Sequence, residues 1–166
     1  MNNISNIFLK KKILIYGLGK SGLSTLKFLQ KKCEIYVYDD FIEKIKFPKI
    51  KKKIIKFNNI SKSKFDKIIL SPGIDINNCK LSSFLKKNRE KIYTDLDVFF
   101  SFYRNDCITI TGTNGKSTTC QILYEVLKKQ KFDVRLVGNI GTPILSVKNI
   151  NKKTLFVIEA SSYQLE

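Results

Sequence analysis

Two glycine-rich turns hold the residues best placed to do chemistry. The first is Gly17-Leu18-Gly19-Lys20-Ser21-Gly22, a full G-x-G-x-x-G run. Glycines at this spacing let the chain turn tightly and bring its backbone against a phosphate. A helix that starts there adds free N–H groups and the positive end of its dipole. Asp39 follows twenty residues after Gly19, where a carboxylate can accept hydrogen bonds from a ribose or a base. NAD is the obvious ligand. The motif does not choose between a dinucleotide and another nucleotide diphosphate, and a strand-to-helix turn with no ligand would use the same glycines.

The second turn is Ile110-Thr111-Gly112-Thr113-Asn114-Gly115-Lys116-Ser117-Thr118-Thr119. Gly-Lys-Ser-Thr at a strand-to-helix junction is a phosphate loop. Backbone N–H groups wrap the phosphates, Lys116 neutralises the β and γ oxygens, and the Ser117 hydroxyl faces Mg²⁺. The pattern G-x-x-x-x-G-K-[ST] asks for glycine where Ile110 stands, so this is the shorter G-x-x-G-K-S form. A third candidate is Glu159, which closes an apolar strand in Val157-Ile158-Glu159-Ala160-Ser161-Ser162-Tyr163-Gln164-Leu165-Glu166. Open α/β sheets gather ligands at that end, and a carboxylate there can hold a metal on the phosphate loop. Taken alone it is equally an ordinary surface Glu.

Composition narrows the chemistry further. The 166 residues include 31 Lys+Arg, 14 Asp+Glu and no His, a net charge of +17. Without His the chain holds no Ser-His-Asp or Cys-His hydrolase, no His-ligated zinc and no imidazole base. Arg89, Arg104 and Arg135 are the only Arg among the cations. A scattered, Lys-dominated charge with abundant Ile and Asn reads as compositional bias on solvated faces. A nucleic-acid site would favour the Arg fork, so no nucleic-acid partner is expected. Cys33, Cys79, Cys107 and Cys120 form no C-x-x-C pair and lie in or beside apolar stretches, as reduced cysteines do. No apolar run approaches the roughly 18 residues of a membrane span, and Ile13–Tyr16 is too short for a signal segment. The expected location is cytoplasmic, without a membrane partner.

Alternating strands and helices must position these turns. Ile13–Tyr16 reads as a buried strand, Ser21–Lys32 as a helix and Glu34–Tyr38 as a second strand. Lys67–Leu70 is a further strand, with a short one at Lys53–Phe57. Leu81–Asn88 reads as a helix, Lys91–Tyr93 as a strand, and Asp95–Tyr103 as a helix with Leu96, Phe99 and Phe100 inward. After Arg104-Asn105-Asp106 the pattern restarts. Cys107–Ile110 is a strand, Lys116–Gln130 a helix with Ile122, Leu123, Val126 and Leu127 inward, and Asp133–Val137 and Leu155–Ile158 are strands. The fold class is α/β, a Rossmann-like parallel sheet over residues 1–104 followed by the start of a phosphate-loop ATPase domain over 105–166. About sixty residues bury too little surface to be comfortable alone, so an incomplete second domain is expected. If it frays, Leu155–Ile158 becomes an exposed edge.

Taken together, the segments resemble the Mur ligases, ATP-dependent amide-bond-forming enzymes of peptidoglycan synthesis. Gly17–Gly22, Ser71-Pro72-Gly73-Ile74, Ile110–Thr119, Gly138-Asn139-Ile140-Gly141 with Pro143, and Glu159–Glu166 carry the resemblance from about Lys12 to the last residue. The Glu-x-Ser-Ser-Tyr-Gln-Leu-Glu ending is similar to the D-glutamate-adding branch. The resemblance implies that Leu18, Gly19, Lys20, Ser21 and Gly22 hold the UDP part of UDP-N-acetylmuramoyl-L-alanine, with Asp39, Ser71, Pro72, Gly73, Asn139 and Ser161 around the same substrate. It implies ATP on Gly112, Thr113, Asn114, Gly115, Lys116, Ser117 and Thr118, Mg²⁺ on Ser117 and Glu159, and Lys116 and Glu159 as catalytic residues. The implied reaction is attack of the substrate carboxylate on the γ-phosphate to give an acyl phosphate, from which the D-glutamate amine displaces phosphate.

Two departures stand out. The family often follows the strand-ending Asp with a hydroxyl residue and Arg, where this chain has Asp40 and Phe41. Its central domain also continues to a metal-binding His and a carbamylated Lys, and a third domain follows. The expectation is therefore an N-terminal portion that does not ligate alone. The alternatives are one half of a split ligase, with a second chain carrying the other domains, or a non-enzymatic nucleotide-binding remnant.

Overall fold

The computed structural model describes residues 6–41 and 48–164. Strand β1 (Lys12–Tyr16) pairs in parallel with β2 (Glu34–Tyr38) on one side and β3 (Lys67–Leu70) on the other. The short β4 (Ile92–Tyr93) adds to β3, giving the order β2-β1-β3-β4. Ile13 through Tyr16 are fully buried, which explains a continuous apolar run in place of alternation: helices cover both faces of the strand. A second parallel sheet of β5 (Cys107–Ile110), β6 (Val134–Gly138) and β7 (Leu155–Glu159) has the order β5-β7-β6. Because all strands of a sheet run one way, the turns after them collect at one edge. That edge carries Gly17, Asp39 and Ser71 in the first sheet, and Thr111, Asn139 and Ala160 in the second.

Among the described residues, helices α1 (Lys20–Leu29), α2 (Phe57–Ile60), α3 (Ser82–Lys87), α4 (Asp95–Phe102) and α5 (Lys116–Lys129) connect the strands. Helix α4 opens on a capping box, with Thr94 and Asp97 each bonding the other's backbone N–H. Its Phe99 ring meets Phe156 of β7 at 4.9 Å. One apolar cluster therefore runs from β1, β2 and α1 through Phe99 to Val137, Phe156 and Ile158 of the second sheet and to Ile144 of the short helix Ile144–Ser146. The four cysteines are free thiols. Among the described residues no helix is long and apolar enough to cross a membrane.

Several sequence expectations need correction. Helix α1 stops at Leu29, where Gln30 N–H still reaches Leu26 O, while Lys31 and Lys32 lie exposed. No strand forms over 53–57: only Ile54 bridges Val37, and a 3-10 helix over Pro48–Lys53 precedes it. On α4 the buried residues include Val98 with Leu96 and Phe99, whereas Phe100 is 40% exposed. On α5 a three-stranded sheet meets only the stripe Cys120, Leu123, Tyr124 and Leu127. That i, i+3, i+4, i+7 row is too narrow to include Ile122 and Val126, which remain 59% and 52% exposed. Strand β7 is the centre of its sheet, so the exposed edge falls on β5, with Ile108 39% exposed.

Candidate functional site

Close packing shapes the first turn. A Cβ at Gly22 would lie 1.8 Å from Gly17 O, so the helix backbone rests directly on the strand end. Ser71 Oγ donates to the same Gly17 carbonyl at 2.8 Å, tying the Ser71-Pro72-Gly73 turn to the loop. Asp39 accepts Leu18 N–H on Oδ2 at 2.7 Å and Phe41 N–H on Oδ1 at 2.8 Å. Asp39 therefore holds the glycine turn itself. Asp40 accepts from the Tyr16 hydroxyl at 2.9 Å; burial, and then this bond, push the Tyr16 phenol above its ordinary range. A cavity of about 570 Å³ opens above the turn, lined by Gly17, Gly19, Lys20, Ser21, Asp39, Ser71–Ile74, Gly138–Gly141 and Pro143. Both sheets supply its walls. Leu18 and Gly22 are buried behind it, and Ser161 lies outside its lining.

The phosphate loop follows β5. Gly115 caps α5 in the left-handed region, φ +76°, and makes no side-chain cap hydrogen bond. These amides, from Gly115 to Thr118, are the natural anion donors. Lys116 Nζ folds back onto the carbonyls of Gly112 at 2.6 Å and Thr113 at 3.3 Å, a cation held over the loop's mouth. Ser117 Oγ donates to Glu159 Oε2 at 2.8 Å. Glu159 is 5% exposed, and no cation among the described residues pairs with its carboxylate. A buried carboxylate in that state is chemically suited to a divalent cation. Burial and the Glu159 charge together raise the Cys120 thiol behind it. Among the described residues no group of three or more Asp, Glu, Cys or His clusters as a metal cage. A cation here would take Ser117, Glu159, phosphate oxygens and water, the usual mixture for Mg²⁺.

One segment joins the two turns. Gly138 pairs with Glu159 in the sheet register, and Asn139 N–H donates to Glu159 O at 3.0 Å. Gly138–Gly141 thus borders the backbone of Glu159 and also walls the first cavity. Ser161 donates to Gln164 Oε1 from both its N–H and its hydroxyl, at 3.0 and 3.1 Å. Gln164 Nε2 donates onward to Asp95 Oδ1 at 3.0 Å, and Ser21 Oγ donates to Asp95 Oδ2. Sequence reasoning named Ser21 and Ser161 but missed Asp95. An Asp in the first turn of a helix is too common to stand out. Leu165 and Glu166 lie outside the described residues.

Residues 11–92 match the family model described as Mur ligase MurD-like, N-terminal domain, and residues 110–166 match the Mur ligase middle domain. The chain belongs to the Mur ligase family. Its relatives include the UDP-N-acetylmuramoylalanine--D-glutamate ligase of Rickettsia bellii, 37% identical over 161 residues, which cover 95% of this chain and 35% of that one. The protein of the same description in Buchnera aphidicola subsp. Baizongia pistaciae is 38% identical over 170 residues, covering 96% of this chain and 37% of the relative. The chain thus spans about a third of the length of the curated relatives it matches. The MurD-like match contains Gly17–Gly22, Asp39 and Ser71–Gly73. The Mur ligase middle-domain match contains the phosphate loop, Asn139, Glu159 and Ser161.

Proposed function

We propose that this chain supplies the two nucleotide-phosphate sites of a D-glutamate-adding Mur ligase, with residues 1–104 the UDP-substrate domain and 105–166 the ATP-binding portion. The observation that carries the reading is the shared segment Gly138–Gly141, which walls the first cavity and adjoins Glu159 beside the phosphate loop. Two phosphate sites that share a wall suit a reaction that brings a UDP-linked carboxylate to a γ-phosphate.

In this reading the first-turn N–H groups of Gly19, Lys20 and Ser21 receive the diphosphate of UDP-N-acetylmuramoyl-L-alanine. Leu18 and Gly22 hold the turn in shape. Ser71, Pro72, Gly73 and Asn139 line the route, and Ser161 orients the end of the second domain. Both Asp39 oxygens already accept backbone N–H bonds, which gives Asp39 a loop-holding role, and the choice of UDP over NAD is supported by the MurD-like match over residues 11–92. Gly112, Thr113, Asn114, Gly115 and Thr118 wrap the phosphates of ATP. Lys116 leaves its two carbonyls to meet the γ-phosphate, and Ser117 and Glu159 hold the metal. Mg²⁺ bound there supplies charge neutralisation of the developing phosphoryl group, the main catalytic need in phosphoryl transfer. Ligation through an acyl phosphate, with D-glutamate as the incoming amine in the cytoplasm, completes the proposal.

Titration calorimetry of the chain tests the sites. The expected result is one UDP site and one Mg²⁺-dependent ATP site that fill independently, with NAD heats at the level of dilution. Saturable NAD binding in competition with UDP, or no binding of either nucleotide, would overturn the assignment.

A further inference from the structure

Asp95 falls between residues 92 and 110, outside both matched segments. It opens α4, is 2% exposed, and accepts from donors on two different sides. Ser21 belongs to the first turn of α1 and lines the 570 Å³ cavity. Gln164 follows Glu159 in the second sheet's final segment. Burial pushes the Asp95 carboxyl up, and the bonds from Ser21 and Gln164 oppose that shift. No cation among the described residues pairs with it, and a carboxylate so deeply desolvated is unfavourable unless its hydrogen bonds are complete.

Away from the cavity the two units also meet through apolar contacts. Phe99 packs on Phe156 at 4.9 Å, and the short helix Ile144–Ser146 packs against α1. Apolar contact is non-directional and tolerates sliding, whereas hydrogen bonds fix distance and angle. We propose that Asp95 is a positioning residue that sets the register between the two walls of the cavity, Gly19–Ser21 on one side and Gly138–Gly141 on the other. That the cavity holds UDP rests on the function proposed above; the register itself does not.

The geometry also dictates the test. Gln164 Oε1 is held by Ser161, so its amide must turn Nε2 toward Asp95. Gln164→Glu therefore sets one carboxylate against another. Adding Asp95→Asn restores a donor to that contact, and the Asn oxygen still accepts from Ser21. The expected result is that Q164E weakens UDP binding about tenfold, and that D95N in the same chain restores it to within about twofold. In the ligand-free chain the Gly19 and Asn139 amide resonances shift in Q164E and return in the double variant. A folded Q164E that binds UDP like the parent with unmoved amides overturns the proposal, as does a double variant as weak as Q164E. Should Q164E fail to fold, Gln164→Leu decides by the same two readouts, and unchanged affinity and amides again overturn it. A parent chain that fails to bind UDP sinks the reading of the cavity, while the ligand-free amides still judge the register.

Discussion

Gly22→Ala is expected to collapse the first site, whereas Gly19→Ala, three residues earlier, empties it without harming the fold. At Gly22 an added Cβ would stand 1.8 Å from Gly17 O and 2.9 Å from Ser71 Oγ, against backbone that cannot rotate away. Relief requires α1 to lift off β1, and the Leu26 and Leu29 packing goes with it. The loss is expected at about 3 kcal/mol or more, the upper end for overpacking. At Gly19 the backbone has φ −67° and an added Cβ meets nothing within 4 Å. Alanine there should cost under about 1 kcal/mol, the price of a poorer N-cap. The added methyl nevertheless stands where a phosphate must approach the N–H groups, so UDP affinity should fall by about tenfold or more. Thermal unfolding and calorimetry on the two variants separate these effects. Equal melting of parent and Gly22→Ala would contradict the packing argument, and full UDP affinity in Gly19→Ala would contradict the site.

Glu159→Gln is expected to remove Mg²⁺-ATP binding while leaving the free protein intact. The Gln carbonyl can still accept from Ser117, so the 2.8 Å bond survives in kind. The substitution also removes a buried charge that no cation among the described residues neutralises, so the unliganded melting temperature should not fall. Losing an outer-shell partner alone costs about 10- to 100-fold in metal affinity, and losing the ligating carboxylate should cost at least that. Ligand stabilisation follows the logarithm of ligand concentration over Kd, so the rise in melting temperature that Mg²⁺-ATP gives the parent should nearly vanish. UDP affinity serves as the internal control and should hold. A variant still stabilised like the parent by Mg²⁺-ATP would remove Glu159 from the metal site.

The contrast between these two sites and Asp95 shows what the sequence made legible. Strands β1, β2, β3, β5 and β7 were readable because each is an uninterrupted apolar or β-branched run ending at a turn residue. Both glycine-rich turns were readable as strand-to-helix junctions because Gly, Lys and Ser occur there at spacings with a local physical reason. Exposure on α5 was not, because Ile122 and Val126 fit the helical period and only the width of the sheet beneath decides what is covered. The central place of β7 was hidden for a related reason, since strand order depends on crossovers that no local window contains. Asp39 was found from its position at the strand end, whereas its two backbone partners, Leu18 and Phe41, were not. Asp95 was invisible because its meaning lies in partners 74 positions before it and 69 after it in the chain.

The most direct test of two separate phosphate sites sharing one wall is an amide-resolved NMR titration of the isotope-labelled chain, UDP first and Mg²⁺-ATP second. UDP is expected to move the amides of Gly19, Lys20, Ser21 and Asn139 and to leave Gly112–Thr118 in place. Mg²⁺-ATP added afterwards should then move Gly112–Thr118. Movement of Gly112–Thr118 by UDP alone, with Gly19–Ser21 unperturbed, would contradict the account.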